Sequence, residues 1–196
     1  MLTIPEQLCL CGRRMFDRRL TDMSGGNLSV RDGNTIYITP RFSGALKHWQ
    51  LEPEDIVTGS IDNDDILNHP MFSREGKAHL SIYRNFPDAN AVVHAHPFHV
   101  MPFATSVKPI KPVTEGCQKF GVIDCIETAP AHSMDLANSI VEGLRGKDDR
   151  IRVQAAGVIL PYHGIILAAK NLFMGIDALE RIDWNAYCLI VSKLID

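Results

Sequence analysis

The sequence predicts an α/β fold in which a mainly antiparallel sheet is flanked by helices. Apolar residues recur at three- and four-residue spacing in residues 4–20 and at four-residue spacing in 133–145, which is typical of amphipathic helices. Two short strand-like runs surround Asp32-Gly33, a dipeptide that favours a β-hairpin. Residues 91–96 are apolar and rich in β-branched side chains, as in a buried strand.

The first half of the chain alternates between helical and strand-like patterns. The predicted elements are a helix over 4–20, hairpin strands over 27–31 and 35–39, a strand over 55–58 and a helix over 73–86. Pro40 ends the second hairpin strand, because proline cannot donate to a neighbouring strand. Ser73 is placed to act as the N-cap of its helix, and Pro87 ends that helix.

The second half continues the alternation. The predicted elements are a strand over 91–96, a short helix over 98–106, a strand over 122–127, a helix over 133–145, a strand pair or bent strand over 157–160 and 165–168, and a last helix over 172–194. Ser133 is a suitable cap for its helix. The chain has no internal repeat, low-complexity segment or linker, so a single domain over residues 1–196 is predicted.

The composition narrows the function classes. Hydrophobic residues make up 45% and charged residues 22%, a balance typical of globular proteins. The net charge is −3 and no long run of Lys or Arg occurs, which argues against a nucleic-acid partner. The five cysteines form no C-x-x-C pair, and the chain has neither a secretory n-region nor a stretch of roughly 18 apolar residues. These features predict a soluble cytoplasmic protein without a membrane partner.

The strongest local signal for chemistry is His94-Ala-His96. On a strand, residues i and i+2 point to the same face, so both imidazoles can reach one ion. A catalytic zinc needs about three protein ligands, and His163, on a turn between two apolar runs, is the best third candidate. Such a pair also occurs where buried histidines only satisfy a hydrogen bond, and the pair alone does not decide between these interpretations.

Glu75 lies near the start of the predicted 73–86 helix, before the histidine pair. A carboxylate beside a divalent cation can serve as a labile ligand and as a general base. The alternative is an ordinary glutamate in a first helical turn, where the helix dipole favours it.

Six short motifs follow one another along the chain. They are Gly25-Gly26-Asn27-Leu-Ser-Val-Arg31, Ile38-Thr-Pro40, Ser43-Gly44, Ser73-Arg74-Glu75, Val92-Val-His94-Ala-His96 and His163-Gly164. Together they resemble the class II aldolase/adducin-head family, from about residue 6 to about residue 190. Within that family, the segment from Asp88 to His94 is similar to the zinc strand of L-fuculose-1-phosphate aldolases.

The resemblance implies a class II aldolase-like fold and a zinc-dependent aldolase that reversibly cleaves a ketose 1-phosphate, or a related sugar acid, to dihydroxyacetone phosphate and an aldehyde. It implies that His94, His96 and His163 bind Zn²⁺, and that Glu75 is the acid/base and can also occupy the metal. The implied phosphate pocket consists of Gly26, Asn27, Ser43, Gly44 and Ser73. The family forms four-fold symmetric tetramers with the active site at a subunit boundary, so a homotetramer is expected.

The sequence departs from the pattern of L-fuculose-1-phosphate aldolases at Arg74, where those enzymes have a second serine. Arginine could bind the donor's phosphate, bidentately and more strongly than serine. It could equally indicate a carboxylate in place of a phosphate, so the sequence leaves open a sugar phosphate or a sugar acid as the small-molecule substrate.

A second departure is the tyrosine that these aldolases contribute across the subunit boundary. Val113 stands in its place, and Glu115 lies two residues further on. The more distantly similar methylthioribulose-1-phosphate dehydratases have a catalytic glutamate in the corresponding stretch. Glu115 is therefore predicted either as a catalytic residue or as an ordinary loop carboxylate.

Three functions remain open at this point. The aldolase is favoured, since the epimerases of the superfamily have Asp where this chain has Glu75, and the dehydratases usually have no glutamate there. Arg74 keeps a decarboxylase or dehydratase on the same scaffold under consideration. A non-catalytic adducin-like module is disfavoured, because such modules tend to lose the metal ligands and this chain has all three.

Overall fold

The computed structural model describes residues 2–195. Its centre is a six-stranded sheet in the order β3-β2-β1-β4-β6-β5, and every neighbouring pair is antiparallel. The strands are β1 (Asn27–Asp32), β2 (Thr35–Ile38), β3 (Val57–Ser60), β4 (Ala91–Ala95), β5 (Ala155–Leu160) and β6 (Gly164–Ala169).

Helices cover both faces of this sheet, which confirms the predicted fold class. They are α1 (Ile4–Asp17), α2 (Gly76–Asn85), α3 (Met101–Thr105), α4 (Met134–Leu144), α5 (Asp148–Val153) and α6 (Leu172–Val191). Short 3₁₀ turns occupy Pro53–Asp55, Asp65–Asn68, Glu115–Phe120 and Ser192–Leu194. Within residues 2–195, no helix is both long and apolar enough to span a membrane.

Side chains that alternate along the strands build one core on each face of the sheet. Val93 packs with α1 and α6 in one core, and Val92 packs with α2 and α4 in the other. Successive strand residues point to opposite faces. His94, and His96 just beyond the end of β4, therefore share the face of Val92, towards which α2 packs.

The first helix is shorter than predicted. Thr3 and Glu6 form a capping box, in which the Glu6 N–H donates to Thr3 Oγ1 at 3.4 Å and the Thr3 N–H donates to the Glu6 carboxylate at 2.6 Å. The helix ends at Asp17 rather than at residue 20. Arg19 adopts left-handed backbone with a φ of 58°, which is incompatible with continued α-helix.

The prediction that Ser73 caps the second helix is wrong. The chain makes a turn in which the Gly76 N–H donates to the Ser73 carbonyl at 2.9 Å, and α2 begins only at Gly76. Glu75 takes the N-cap position, but its side chain makes no capping hydrogen bond. The Glu75 carboxylate therefore remains available for other contacts.

The strand predicted over 122–127 is also wrong. Ile123 forms an isolated antiparallel bridge to Ile110, and Cys125 forms an isolated parallel bridge to Ile159 on the edge strand β5. Because each bridge has a different partner, no continuous ladder forms. Ile123 is buried in the core with α1 and α6, so packing rather than sheet pairing explains the apolar pattern.

The other elements differ from the prediction only in where they begin and end, except for α5, which was not predicted. The strand predicted over 55–58 lies slightly later, as β3, because the 3₁₀ turn Pro53–Asp55 precedes it. Helix α5 was not predicted, since only Ile151 of its six residues is buried and a single apolar residue gives no periodicity. The remaining predicted strands and helices are confirmed, with ends shifted by a few residues.

Candidate metal centre

Three histidines converge at the end of β4. His94 and His96 share one face of the sheet, and the antiparallel pairing of β4 with β6 brings His163, directly before β6, beside them. The ring centroids lie 5.1 Å apart for His94 and His96, 4.8 Å for His94 and His163, and 5.4 Å for His96 and His163. One ligand nitrogen from each ring lies within 4.8 Å of the other two.

Two glycines allow this close approach. A Cβ atom on Gly25 would lie 2.2 Å from the imidazole of His96. A Cβ atom on Gly164 would lie 2.4 Å from the carbonyl oxygen of Ala95. The motif glycines next to the histidines are therefore required by packing at the site itself.

Hydrogen bonding orients two of the rings. His94 Nδ1 lies 3.0 Å from the Ile165 carbonyl oxygen, which can only accept, so Nδ1 donates there and Nε2 keeps its lone pair. His96 Nδ1 faces the Asp22 carboxylate at 3.3 Å, and His96 Nε2 is buried without a hydrogen-bond partner. Carboxylates and carbonyls in these positions are the usual outer partners of metal-binding histidines.

The electrostatic environment favours the neutral forms of His94 and His163. Burial is the largest cause that lowers the pKa of His94 well below its ordinary value. Burial, followed by the charges of His96, His132 and Arg74, lowers the pKa of His163 to about 4. Neutral imidazole is the form that binds zinc. Three converging imidazoles, one of them with a buried nitrogen that has no hydrogen-bond partner, fit a catalytic zinc site.

Glu75 faces the same space from the start of α2. The residue is buried, and its Oε1 lies 3.8 Å from His163 Nε2. Burial raises the pKa of Glu75, while His132 and Arg74 act in the opposite direction. The carboxylate thus lies beside the histidines.

His132 is a site residue that sequence reasoning missed. Its Nδ1 lies 2.7 Å from Glu75 Oε1, although the two atoms are not aligned as a hydrogen bond. It lies in the turn before α4 and adopts left-handed backbone with a φ of 66°, an uncommon conformation that often marks functional sites. A single histidine in a loop, far from Glu75 in the chain, carries no sequence signal for this contact.

The histidines and Glu75 line a cavity of about 390 Å³. Of the predicted phosphate-binding residues, Gly26, Asn27, Ser73 and Arg74 also line it. Asn27 lies opposite His94 in the β1–β4 register, and its Oδ1 is buried without a partner. These groups are available to a ligand.

Ser43 and Gly44 are buried and do not line the cavity. The Ser43 hydroxyl is buried and donates to the Pro40 carbonyl at 2.6 Å, so it holds the turn after β2. Arg41 and Phe42 line the cavity instead. A direct phosphate contact by Ser43 or Gly44 stays a prediction.

Glu115 and Val113 lie outside the cavity of their own chain. Glu115 begins a 3₁₀ turn, and the segment before it is tied to α6 by the Val113 N–H, which donates to Asn185 Oδ1 at 2.8 Å. The catalytic role predicted for Glu115 therefore requires a second copy of the chain, and it also stays a prediction.

The chain matches one protein family over most of its length. Residues 6–190 match the model of the family described as Class II Aldolase and Adducin N-terminal domain. The chain is 31% identical over 185 residues to the L-fuculose phosphate aldolase of Methanococcus maripaludis. The alignment covers 92% of this chain and 94% of that protein. It is 24% identical over 193 residues to the 3-oxo-tetronate 4-phosphate decarboxylase of Haemophilus influenzae, covering 92% and 84% of the two chains.

The fold is similar to that of a solved protein. The solved structure of an L-fuculose 1-phosphate aldolase superposes with a TM-score of 0.85 at 24% identity, covering 100% of this chain and 89% of that chain.

Proposed function

Since this chain belongs to the class II aldolase and adducin N-terminal domain family, we propose that it is a zinc-dependent lyase. The proposed reaction is the reversible cleavage of a ketose 1-phosphate, or a related sugar acid, to dihydroxyacetone phosphate and an aldehyde. The observation that carries the proposal is the convergence of three histidines and the buried Glu75 on one cavity.

His94, His96 and His163 would hold the zinc ion. When bound, zinc supplies a Lewis acid that polarises a carbonyl and stabilises the negative charge that develops on its oxygen. His94 Nδ1 contacts the Ile165 carbonyl, and His96 Nδ1 contacts the Asp22 carboxylate. Nε2 of each ring is therefore directed away from these partners.

Glu75 would move the proton. Because burial raises its pKa, the carboxylate is a stronger base than an exposed glutamate. It would remove a proton next to the donor's carbonyl in synthesis and return it in cleavage. His132, whose Nδ1 lies 2.7 Å from Glu75 Oε1, would face the carboxylate during this transfer.

Small polar groups would bind the donor's phosphate. The Asn27 side-chain amide can donate through its NH₂ end, and Ser73 adds a hydroxyl. Gly26 has a φ of 90°, and a Cβ atom there would lie 2.5 Å from Thr21 Oγ1, so only glycine fits. Arg74 is exposed and lines the same cavity, where its guanidinium adds a positive charge.

Arg74→Ala is expected to raise KM by roughly 10–200-fold, the loss of one charge-assisted contact worth about 1.5–3 kcal/mol. Steady-state kinetics with the best ketose 1-phosphate measures this effect. Arg145→Ala is a matched control, because Arg145 pairs with Glu142 on the exposed side of α4. An unchanged KM in Arg74→Ala would place Arg74 outside the donor site.

A decarboxylase of a phosphorylated oxo-acid is the second candidate. Arg74 favours it, since guanidinium binds a carboxylate as well as a phosphate, and the chain has the Haemophilus influenzae decarboxylase among its relatives. A panel of ketose 1-phosphates with coupled detection of dihydroxyacetone phosphate tests the aldolase. Carbon dioxide release from 3-oxo-acid phosphates, with no dihydroxyacetone phosphate formed from the ketoses, would favour the decarboxylase instead.

The proposed active enzyme is a homotetramer. The outer surface of α6 carries Trp184, which is 61% exposed and stacks on Tyr187 with ring centroids 5.3 Å apart. Exposed aromatic residues of this kind are enriched in protein interfaces. Light scattering at micromolar concentration should give four times the mass of a single chain, and a 21.8 kDa species would contradict the tetramer.

A further inference from the structure

Glu75 and His132 meet at the cavity because the helices that follow them pack together. Glu75 comes directly before α2, and His132 lies two residues before α4. Both helices bury their apolar residues in the same core, against Val92 of β4. The Ser133 side chain caps α4 by accepting the Leu136 N–H at 3.0 Å, so the backbone beside His132 is fixed.

The contact between these two side chains requires a proton. His132 Nδ1 lies 2.7 Å from Glu75 Oε1, and both atoms are buried without another hydrogen-bond partner. Two bare lone pairs repel each other at this distance, which lies in the range of a charge-assisted hydrogen bond. A proton therefore lies between them, on Nδ1 or on Oε1, and a small rotation of either terminal torsion aligns it. Transfer of this proton from one atom to the other needs no movement of the backbone.

His132 connects the buried carboxylate with the outside. The Glu75 side chain is only 6% exposed, whereas the His132 side chain is 35% exposed. Of the basic side chains in residues 2–195, those of His132 and His163 have a nitrogen within 4.0 Å of the Glu75 carboxylate. His163 is a proposed zinc ligand, and a ligand nitrogen cannot carry a proton. A proton can therefore pass between Glu75 and its surroundings through His132.

The cavity also contains a carboxylate and a phenol, those of Asp22 and Tyr162. The Asp22 carboxylate accepts the Ser24 N–H and the Ser24 hydroxyl, both at 2.8 Å, so it holds the loop before β1. Tyr162 is 66% exposed, and a phenol exchanges protons at neutral pH less readily than an imidazole. His132 combines the suitable chemistry with direct proximity to Glu75.

The proposed cleavage needs a proton to move from one fragment to the other. When the C3–C4 bond of a ketose 1-phosphate breaks, the C4 hydroxyl loses its proton and becomes the aldehyde carbonyl. The electron pair of the broken bond passes to the donor fragment, whose C3 then takes a proton. Glu75 supplies the proton to C3, so the reaction still requires an acceptor for the proton of the C4 hydroxyl.

We propose that His132 is this acceptor and that it relays the proton to Glu75. The inference rests on the proposed lyase function and adds a catalytic residue to it. Nε2 of the neutral imidazole takes the C4 hydroxyl proton, and the Nδ1 proton passes to Glu75 Oε1 across the 2.7 Å contact. Glu75 returns a proton to C3, and the imidazole resets by proton exchange with solvent at its exposed side. One proton is taken from the substrate and one is given back, so the protein ends each turnover as it began.

His132→Asn separates the relay from a purely structural contact. The amide NH₂ can still donate to Glu75, and asparagine tolerates left-handed backbone, but an amide cannot pass a proton from one side to the other. We expect kcat for the best ketose 1-phosphate to fall by roughly 10²-fold or more, as for other general acid–base residues. KM should change by less than about threefold, because the interaction is made in the transition state. A kcat within about twofold of the wild-type value would overturn the relay.

His132→Gly with added imidazole gives a measurement that a structural role would not affect. Glycine adopts the φ of 66° without strain and leaves room for a small base. Its kcat should be low without imidazole and should rise as imidazole is added. The matched control is His48→Gly, since His48 is exposed outside the cavity and also has left-handed backbone, with a φ of 53°. The control should keep the wild-type kcat at every imidazole concentration, and a loss in His132→Gly that imidazole does not reduce would contradict the relay.

Proton exchange at C3 of dihydroxyacetone phosphate in D₂O separates the relay from the proposed function. Without an aldehyde, the proton that Glu75 removes reaches solvent through His132, so exchange by His132→Gly should be slow and imidazole-dependent. Imidazole-dependent exchange in this variant, with no cleavage of any ketose 1-phosphate by the wild type, would support the relay and reject the aldolase. Cleavage at equal rates by the wild type and His132→Asn would support the aldolase and reject the relay. A wild type that neither exchanges nor cleaves would reject both.

Discussion

His96→Ala is expected to yield a folded protein without a bound metal ion and with activity reduced by roughly 10³-fold or more. A Lewis acid contributes several kcal/mol to such a reaction, and each 1.36 kcal/mol is a factor of ten in rate. Fold should persist, because His96 lies just beyond the end of β4 and neither core cluster includes it. Metal analysis and circular dichroism of the purified protein measure both effects.

His69→Ala is the matched control for metal content. His69 is exposed and does not line the cavity of the three histidines and Glu75. This variant should therefore keep about one divalent ion per chain. Full activity of His96→Ala in metal-free form would reject the assignment of the three histidines to a catalytic metal.

Glu75→Gln is expected to lower kcat by roughly 10²–10⁴-fold, the usual contribution of a general acid–base residue. Glutamine keeps the shape of the side chain but cannot accept the proton. The metal should remain bound, because His94, His96 and His163 are unchanged. Stopped assays of product formation with the zinc-loaded variant, alongside metal analysis, distinguish this outcome from loss of the ion.

Glu115→Gln separates the two candidate carboxylates. Glu115 lies outside the cavity of its own chain, so its substitution should cost less than that of Glu75. If Glu115→Gln were the more damaging change, the principal acid/base would come from a neighbouring subunit, and the chain would resemble the dehydratases more than the aldolases.

Strand periodicity allowed the convergence of His94 and His96 to be predicted. The two-residue repeat of a strand places His94 and His96 on one face whatever the rest of the fold. The buried run in β4 identified the strand, and the antiparallel sheet class followed from the hairpin around Asp32-Gly33. His163 required more than spacing, since only the pairing of β4 with β6 brings it near the other two.

The contacts of loops and of segments at the edge of the sheet could not be predicted, because these contacts are not periodic in the sequence. His132 reaches Glu75 through a left-handed turn that no local pattern encodes. The segment 122–127 has the composition of a strand, but single bridges and core packing hold it instead.

Proton exchange next to the carbonyl of dihydroxyacetone phosphate, followed by NMR in D₂O without any aldehyde, tests the central claim most directly. That claim is that Glu75 removes a proton from a donor held at the site of the three histidines. Exchange should be rapid in the zinc-loaded wild type, and lost or strongly slowed both in the metal-stripped protein and in zinc-loaded Glu75→Gln. Exchange at the wild-type rate in either of the last two samples would contradict the proposed mechanism.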